Sequence, residues 1–259
     1  RMLGKDKENV EFVLYSSWFC PFAQRAWIVA EESNANYQWV EINPYIVDST
    51  RPGGYTKKAQ ALEQKKIADP DFVEASPRGL VPAIRHKGIV LWESLPVCEY
   101  IDSVFGNGTL IDRTDPYQVS RQQIWCSHCT DRIQKKYYQA LNAQEENDRE
   151  ALIEEFFKEC RVLSNEMSND GPYFNGKKFS MVDVALAPFW QRVLIVGPHY
   201  FDLNLPKESE FQRLDIWWNA VSARPSVAAT IVCEPRLISS YMDYYTDLAT
   251  SDAARNYIK

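Results

Sequence analysis

The sequence predicts a mixed α/β domain followed by an all-α domain. Three observations carry that reading. The chain opens on a strand–helix–strand pattern, it continues with a pair of short strands joined by a tight turn, and beyond about residue 115 only helical periodicity remains. Such a switch in the order of elements marks two differently built layers.

The first strand is read in Val10–Ser16, VEFVLYS, a short run rich in strand formers. Pro21 then opens a helix to Asn34, since proline at the first helical position forfeits no hydrogen bond. Phe22, Ala26, Val29 and Ala30 recur at helical spacing along it. Tyr37–Asn43 alternates as a second strand. Residues 44–69 break the pattern with Pro52-Gly53-Gly54 and a Lys/Gln-rich stretch. They read as an expanded loop, with one helical turn around Ala59–Lys65, and a loop of that length is commonly functional.

Pro82–Arg85 and Ile89–Trp92 read as two strands turning at Lys87-Gly88. Ser94 then caps a helix to Phe105. Gly106–Asp115 is turn-rich, so the α/β domain is placed at residues 1–108 and the helical domain at 113–259. In the latter, Tyr117–Leu141 and Glu150–Met167 read as long helices, the second with Leu152, Phe156, Cys160, Leu163 and Met167 on one face. Ser180 and Asp183 fit a capping box before a strongly apolar helix. Phe211–Ser222 and Val227–Ile231 read as helical, and a polar tail closes the chain.

Composition excludes some functions. The chain has 259 residues, 45% hydrophobic and 25% charged, with a net charge of −6. Those values fit a globular protein with a sizeable core and argue against nucleic acid as the partner. The longest apolar stretch, Val182–Val196, is interrupted by Asp183, Gln191 and Arg192 and is too short to cross a bilayer, so no stable membrane insertion is expected. The charged opening Arg1–Asn9 lacks an apolar signal segment. Six scattered cysteines suit reduced thiols and a cytoplasmic setting. Cys126 and Cys129 share a helix face without a second ligand pair nearby, so packing is expected there and no metal.

The chemistry concentrates at Ser17-Trp18-Phe19-Cys20-Pro21-Phe22-Ala23-Gln24-Arg25. A cysteine between a strand and a helix N-terminus faces free N–H groups and the positive end of the helix dipole. That setting favours a thiolate over the free thiol, whose pKa is about 8.5. Arg25, one turn in, adds positive charge. A lone cysteine is more often a small buried residue; its place after the strand and before Pro21 argues for the nucleophile. Position 23 is alanine, so no Cys-x-x-Cys partner exists and a disulfide at Cys20 needs an external thiol to resolve it.

The run from Cys20 to Arg25 resembles the active-site motif of omega-class glutathione transferases. Gly79-Leu80-Val81-Pro82 resembles that family's cis-proline loop, Glu93-Ser94 its γ-glutamyl-binding pair, and Ser180–Asp183 the capping box of its second domain. The resemblance covers nearly the whole chain. It implies a thioredoxin-like N-terminal domain and a helical-bundle C-terminal domain. It further implies glutathione as co-substrate, Cys20 as catalytic residue, and glutathione contacts from Phe22, Leu80, Val81, Pro82, Glu93 and Ser94. Trp18, Arg121 and Trp125 are implied for the acceptor pocket. The family's lysine for the glycine carboxylate is displaced, because Asp69 precedes Pro70 here; Lys65 or Lys66 stands in for it. The implied activity is thiol transfer, dehydroascorbate reduction or deglutathionylation through a Cys20–glutathione mixed disulfide, in a homodimer. A non-enzymatic glutathione binder, or a member similar to the chloride intracellular channel proteins, is the alternative from another class.

The physics of the residues agrees with these implications. Ser94 offers a hydroxyl and an N–H to a carboxylate at a helix N-terminus, and Glu93 can pair with an ammonium group. The backbone before a cis proline can pair with a peptide in strand fashion. Taken singly, Ser94 is only a cap and Pro82 only the start of an edge strand.

Overall fold

A computed structural model describes residues 9–51, 54–207, 209–251 and 254–255. The opening residues 1–8 and the Pro52-Gly53 dipeptide lie outside the described residues. The chain packs into two units. One comprises residues 1–44, 60–112 and 225–230; the other comprises 45–59, 113–224 and 231–259.

In the first unit, β1 (Phe12–Ser16), α1 (Pro21–Glu32) and β2 (Tyr37–Glu41) form the opening βαβ unit. The sheet is completed by β5 (Ala83–His86) and β6 (Ile89–Trp92), in the order β2-β1-β5-β6. β1 runs parallel to β2 and antiparallel to β5, which pairs antiparallel with β6. Lys87 and Gly88 both take positive φ, 48° and 81°, as the two-residue turn between β5 and β6 demands. This is the thioredoxin-like α/β arrangement.

Alternation sorts the side chains. Val13 and Tyr15 face one side, where Ile42, Phe72, Ala75 and Ala83 close a buried cluster under α3 (Pro70–Ala75). Phe12, Leu14 and Ile84 take the other side, toward α1 and α4 (Ser94–Phe105), with Val29, Val97 and Ile101 fully buried. Each such side chain contributes roughly 1.5–3 kcal/mol by leaving water.

Residues 225–230, with α10 (Pro225–Ala228), belong to this unit and not to the helical one. The reason is polar. Gln24 in α1 is buried, and its Nε2 donates to the Thr230 carbonyl oxygen at 3.0 Å and to Oγ1 at 3.2 Å. Ser226 Oγ donates to Glu32 Oε2 at 2.5 Å.

Within the expected loop at 44–69, the described residues hold regular structure. β3 (Tyr45–Val47) and β4 (Tyr55–Ala59) form an antiparallel hairpin, and α2 (Leu62–Ala68) follows. The hairpin belongs to the helical unit. There the Lys57 N–H donates to Asp243 Oδ2 at 2.6 Å. Its ammonium group lies 4.7, 5.3 and 5.8 Å from the ring centres of Tyr45, Tyr55 and Tyr244. A buried lysine in a tyrosine cage gives a polar-looking strand a core to pack on.

The helical unit is built from α5 (Pro116–His128), a π-helical turn (Cys129–Gln134), α6 (Lys135–Asn142), α7 (Glu146–Glu166), α8 (Met181–Phe201), α9 (Ser209–Ala223) and α11 (Glu234–Tyr245). The expected helix Tyr117–Leu141 is thus continuous, with a π turn inside it. The expected polar tail holds α11, whose Leu237, Tyr241 and Tyr244 are buried. α8 forms the centre: Trp190 and Arg192 are fully buried, and the Arg192 Nη1 donates to the Pro188 carbonyl at 2.6 Å. Among the described residues no helix is long and apolar enough to cross a membrane.

Candidate active site

The register of the sheet gathers the predicted residues of the first unit. Tyr15 pairs with Ala83, and Ala83 with Trp92. The end of β1, the start of β5 and the end of β6 therefore share one edge. Cys20, the Leu80–Pro82 loop and Glu93-Ser94 leave the sheet there. Residues far apart in sequence meet because antiparallel pairing folds them onto one line.

Cys20 is the N-cap of α1, with Pro21 as the first helical residue. Its own N–H donates to the Ser17 carbonyl at 3.1 Å, and its carbonyl accepts from Gln24 at 2.9 Å. The thiol is partly exposed and lies 4.0 Å from the Val81 carbonyl oxygen. Trp18, half-buried, packs edge-on against Phe19 at 5.4 Å, and its N–H donates to Glu41 Oε1 at 3.3 Å. Phe22 is half-buried beneath the guanidinium of Arg25.

The loop before β5 is pinned from both sides. Ser76 Oγ donates to the Leu80 carbonyl at 2.8 Å and accepts from its N–H at 3.1 Å. Gly79 stands at φ +61°, and a Cβ there would meet Leu62 Cδ1 and Lys65 Cδ at 2.9 Å. The positive φ favours glycine here, and any side chain would also have to push Leu62 and Lys65 aside. The Val81–Pro82 bond is cis, as the resemblance implies.

Lys65 is buried, and its Nζ donates to the Gly79 carbonyl at 2.9 Å. It ties α2 to the loop. Lys66, the sequence-derived candidate for the glycine carboxylate, is exposed on α2.

Glu93 corrects one detail. It, and not Ser94, is the N-cap of α4, at φ 72° and ψ 130°. A glutamate held at positive φ is strained, and such strain clusters at ligand-holding positions. Its carboxylate is exposed, 3.9 Å from Arg78, a pair too solvated to stabilise much. Ser94 is the first residue of α4 and is buried, with its Oγ accepting from Arg25 Nη1 at 3.3 Å.

In the helical unit, Arg121 pairs with Glu166 at 2.7 Å, donates to Asn175 Oδ1 at 2.9 Å and lies over the Phe174 ring at 4.9 Å. Trp125 packs against the same Phe174 at 5.7 Å. Both side chains thus help hold α5 to the segment before α8. Cys126 and Cys129 are buried, and no group of three metal-ligating side chains occurs among the described residues. Burial pushes the Cys160 thiol well above its ordinary value, so it stays protonated. Sequence reasoning missed Ser76 and Gln24, whose partners are set only by the fold, and Lys65, named from the sequence as a candidate for the glycine carboxylate, is engaged with the Gly79 carbonyl instead.

Two family models match the chain, the glutathione S-transferase N-terminal domain over residues 19–104 and its C-terminal domain over 122–225. A solved structure, glutathione transferase Omega 3C from Trametes versicolor, is 30% identical with a TM-score of 0.74, covering 94% of each chain. The chain belongs to the omega class of the glutathione transferase family. Glutathione S-transferase omega-1 from Sus scrofa is 27% identical over 90% of this chain and 85% of its own length. A tau-class structure from mango, MiGSTU, superposes with a TM-score of 0.71 over 92% of this chain and 99% of its own, at 18% identity, and speaks to the fold alone. This transferase is accordingly an enzyme of glutathione chemistry, with glutathione as its co-substrate.

Proposed function

We propose that the transferase works through Cys20 in thiol transfer. The Cys20 thiolate attacks the glutathione sulfur of a mixed disulfide, forms a Cys20–glutathione disulfide and expels the acceptor as thiolate. A second glutathione thiolate attacks that disulfide, leaves as glutathione disulfide and regenerates Cys20. Val81, with Leu80 and Pro82, pairs with the cysteinyl backbone of the tripeptide, Phe22 flanks it, and Glu93 and Ser94 take its γ-glutamyl ammonium and carboxylate. Trp18, Arg121 and Trp125 border the acceptor, and Lys66 remains the proposed partner of the glycine carboxylate. Dehydroascorbate reduction and release of glutathione from thioethers are further outlets of the same cysteine.

The observation that supports this most is the position of Cys20 as a partly exposed N-cap, 4.0 Å from the Val81 carbonyl. A cysteine can store glutathione as a disulfide, whereas a serine or tyrosine can only activate glutathione's own thiol. Two-substrate kinetics test it. Parallel double-reciprocal lines, lost with Cys20→Ser, support the ping-pong scheme; intersecting lines with full activity in Cys20→Ser sink it.

A reducing compartment such as the cytoplasm is proposed from the scatter of six cysteines along a chain with a large core. A homodimer is proposed from the family resemblance. Light scattering on the purified chain tests it, a monomer at all concentrations being the contrary result.

A further inference from the structure

Three backbone groups of β4 are bonded not by β3 but by the C-terminal segment. The Lys57 N–H donates to Asp243 Oδ2 at 2.6 Å, and the Lys57 carbonyl accepts from the Thr250 N–H at 3.0 Å. The Ala59 N–H donates to Thr250 Oγ1 at 3.1 Å. Arg51, between the two strands, donates from Nη1 to Asp243 Oδ1 at 2.8 Å. Asp243 lies on α11 and is buried. A two-stranded hairpin is marginal by itself, and Ile46 and Val47 of β3 are exposed. With the tyrosine cage of Lys57, these bonds are what keeps the pair ordered, and the charged ones at Asp243 are the strongest of them.

The roots of the same two strands grip the walls of the Cys20 site. Ahead of β3, the Ile42 N–H donates to the Ser16 carbonyl at 2.7 Å, and Ser17 Oγ donates to the Ile42 carbonyl. Glu41 Oε1 accepts the Trp18 N–H at 3.3 Å. After β4, α2 sends the Lys65 Nζ to the Gly79 carbonyl at 2.9 Å. The Gln60 N–H donates to the Pro44 carbonyl at 2.9 Å and ties the roots together. One root thus holds the loop that carries Cys20. The other holds the loop that carries Val81, whose carbonyl is 4.0 Å from the thiol.

We propose that the β3–β4 pair is a strap through which α11 sets the geometry of the Cys20 site, with Asp243 as its latch. The inference rests on the reading of Cys20 as nucleophile and adds a means of regulating it. While the latch holds, the knot at Pro44 and Gln60 fixes both roots. Once it opens, β4 loses its outer partners, the roots gain freedom, and the spacing of Cys20 and Val81 is no longer set. Elements with few apolar contacts are the ones that open locally in this way.

Hydrogen exchange read by mass spectrometry, together with thiol-transfer kinetics on the whole chain, tests this. Asp243→Asn keeps an acceptor and loses the charge. It raises exchange over residues 55–59 about tenfold, the scale of one charge-assisted hydrogen bond. Exchange over residues 76–83 rises with it, and kcat/KM for a glutathione mixed disulfide falls about threefold to tenfold. Thr250→Val removes the acceptor of the Ala59 N–H and gives the same pattern at about a third of the size. Asp183→Ala weakens the helical unit without touching β4, and at a temperature where it is folded it leaves kcat/KM within about twofold.

Unchanged exchange over 55–59 in Asp243→Asn means that Asp243 is no latch and overturns the proposal. Faster exchange there, with residues 76–83 and kcat/KM unmoved, overturns the strap. So does an equal loss of kcat/KM in Asp183→Ala, since lost stability is then the cause. Full activity in Cys20→Ser would instead fell the reading of Cys20, an outcome separable from the others because the linked exchange of 55–59 and 76–83 does not depend on it. Should Asp243→Asn not fold, Thr250→Val carries the same comparison.

Discussion

The N-termini of α1 and α8 are finished in opposite ways. At α8, four donors converge on one carboxylate. Asp183 accepts from the N–H groups of Phe174 and Ser180 at 2.8 Å and from Ser180 Oγ and Trp217 Nε1 at 2.7 Å. The site is buried and self-contained, and it holds α8, α9 and the 168–180 segment together. At α1, among the described residues, no side chain caps the helix and the first turn has no acidic residue. A partly exposed thiol occupies the cap position instead. The same feature, an orphan set of N–H groups with a positive dipole end, is closed by the protein's own carboxylate in one unit and carries a cysteine at the cap position in the other. Closure serves stability; the open end is where the proposed thiol chemistry sits.

Breaking the open end has the largest effect expected. Cys20→Ser should lower the thiol-transfer rate by about a thousandfold or more, because serine cannot form the disulfide, while the melting temperature hardly changes. An assay with a glutathione mixed disulfide, alongside a thermal melt, checks both. The same comparison appears in labelling: iodoacetamide should modify Cys20 and the exposed Cys233 in the native protein and leave buried Cys160 intact, as peptide mapping would show.

Breaking the closed end comes next. Asp183→Ala leaves several buried donors unsatisfied and should cost about 2–4 kcal/mol in denaturant unfolding. Its pH dependence sharpens the point. Burial holds the Asp183 carboxyl above its ordinary value, despite the hydrogen bonds that pull the other way. The folded state therefore keeps this proton to higher pH than the unfolded state. The associated stability is fully present below the unfolded value, about 3.9, and is lost as pH rises through the folded one. The gap between wild type and Asp183→Ala should narrow as pH is raised through that range; a gap that widens contradicts the burial argument.

Smaller effects follow. Gly79→Ala forces a Cβ into Leu62 and Lys65 at positive φ and should cost about 1–2 kcal/mol. It should also raise KM for glutathione by displacing Val81. The partly exposed ion pair of Lys136 and Glu155 serves as the contrast. Lys136→Ala should change stability by less than about 0.5 kcal/mol; a larger loss would mean that surface charge, and not buried capping, stabilises this unit.

The legibility of these regions in the sequence follows the same physics. The βαβ opening and the β5–β6 turn were readable because local alternation, Pro21 and Lys87-Gly88 encode them directly. So was the α8 cap, which lies within four residues. The hairpin of β3 and β4 was not: YTKKA has no strand alternation, and Lys57 finds its tyrosine cage only when Tyr244, far along the chain, is folded against it. α11 reads as a polar tail in the sequence because its buried side is largely tyrosine and serine. Within the candidate site, Cys20, Pro82 and Glu93-Ser94 stood out as motifs, with Glu93 in place of Ser94 as the cap. The residues that hold them, Ser76, Lys65 and the Ser94-facing Arg25, act through partners that sequence spacing does not reveal.

The most direct test of the open helix end is the intact mass of the protein after exposure to oxidised glutathione, for wild type and Cys20→Ser. A single adduct of about 305 Da, absent from the variant and removed by reduced glutathione, is the predicted result. No adduct on wild type, or the same adduct on Cys20→Ser, would contradict the assignment of Cys20 as the thiolate that α1 was left open to hold.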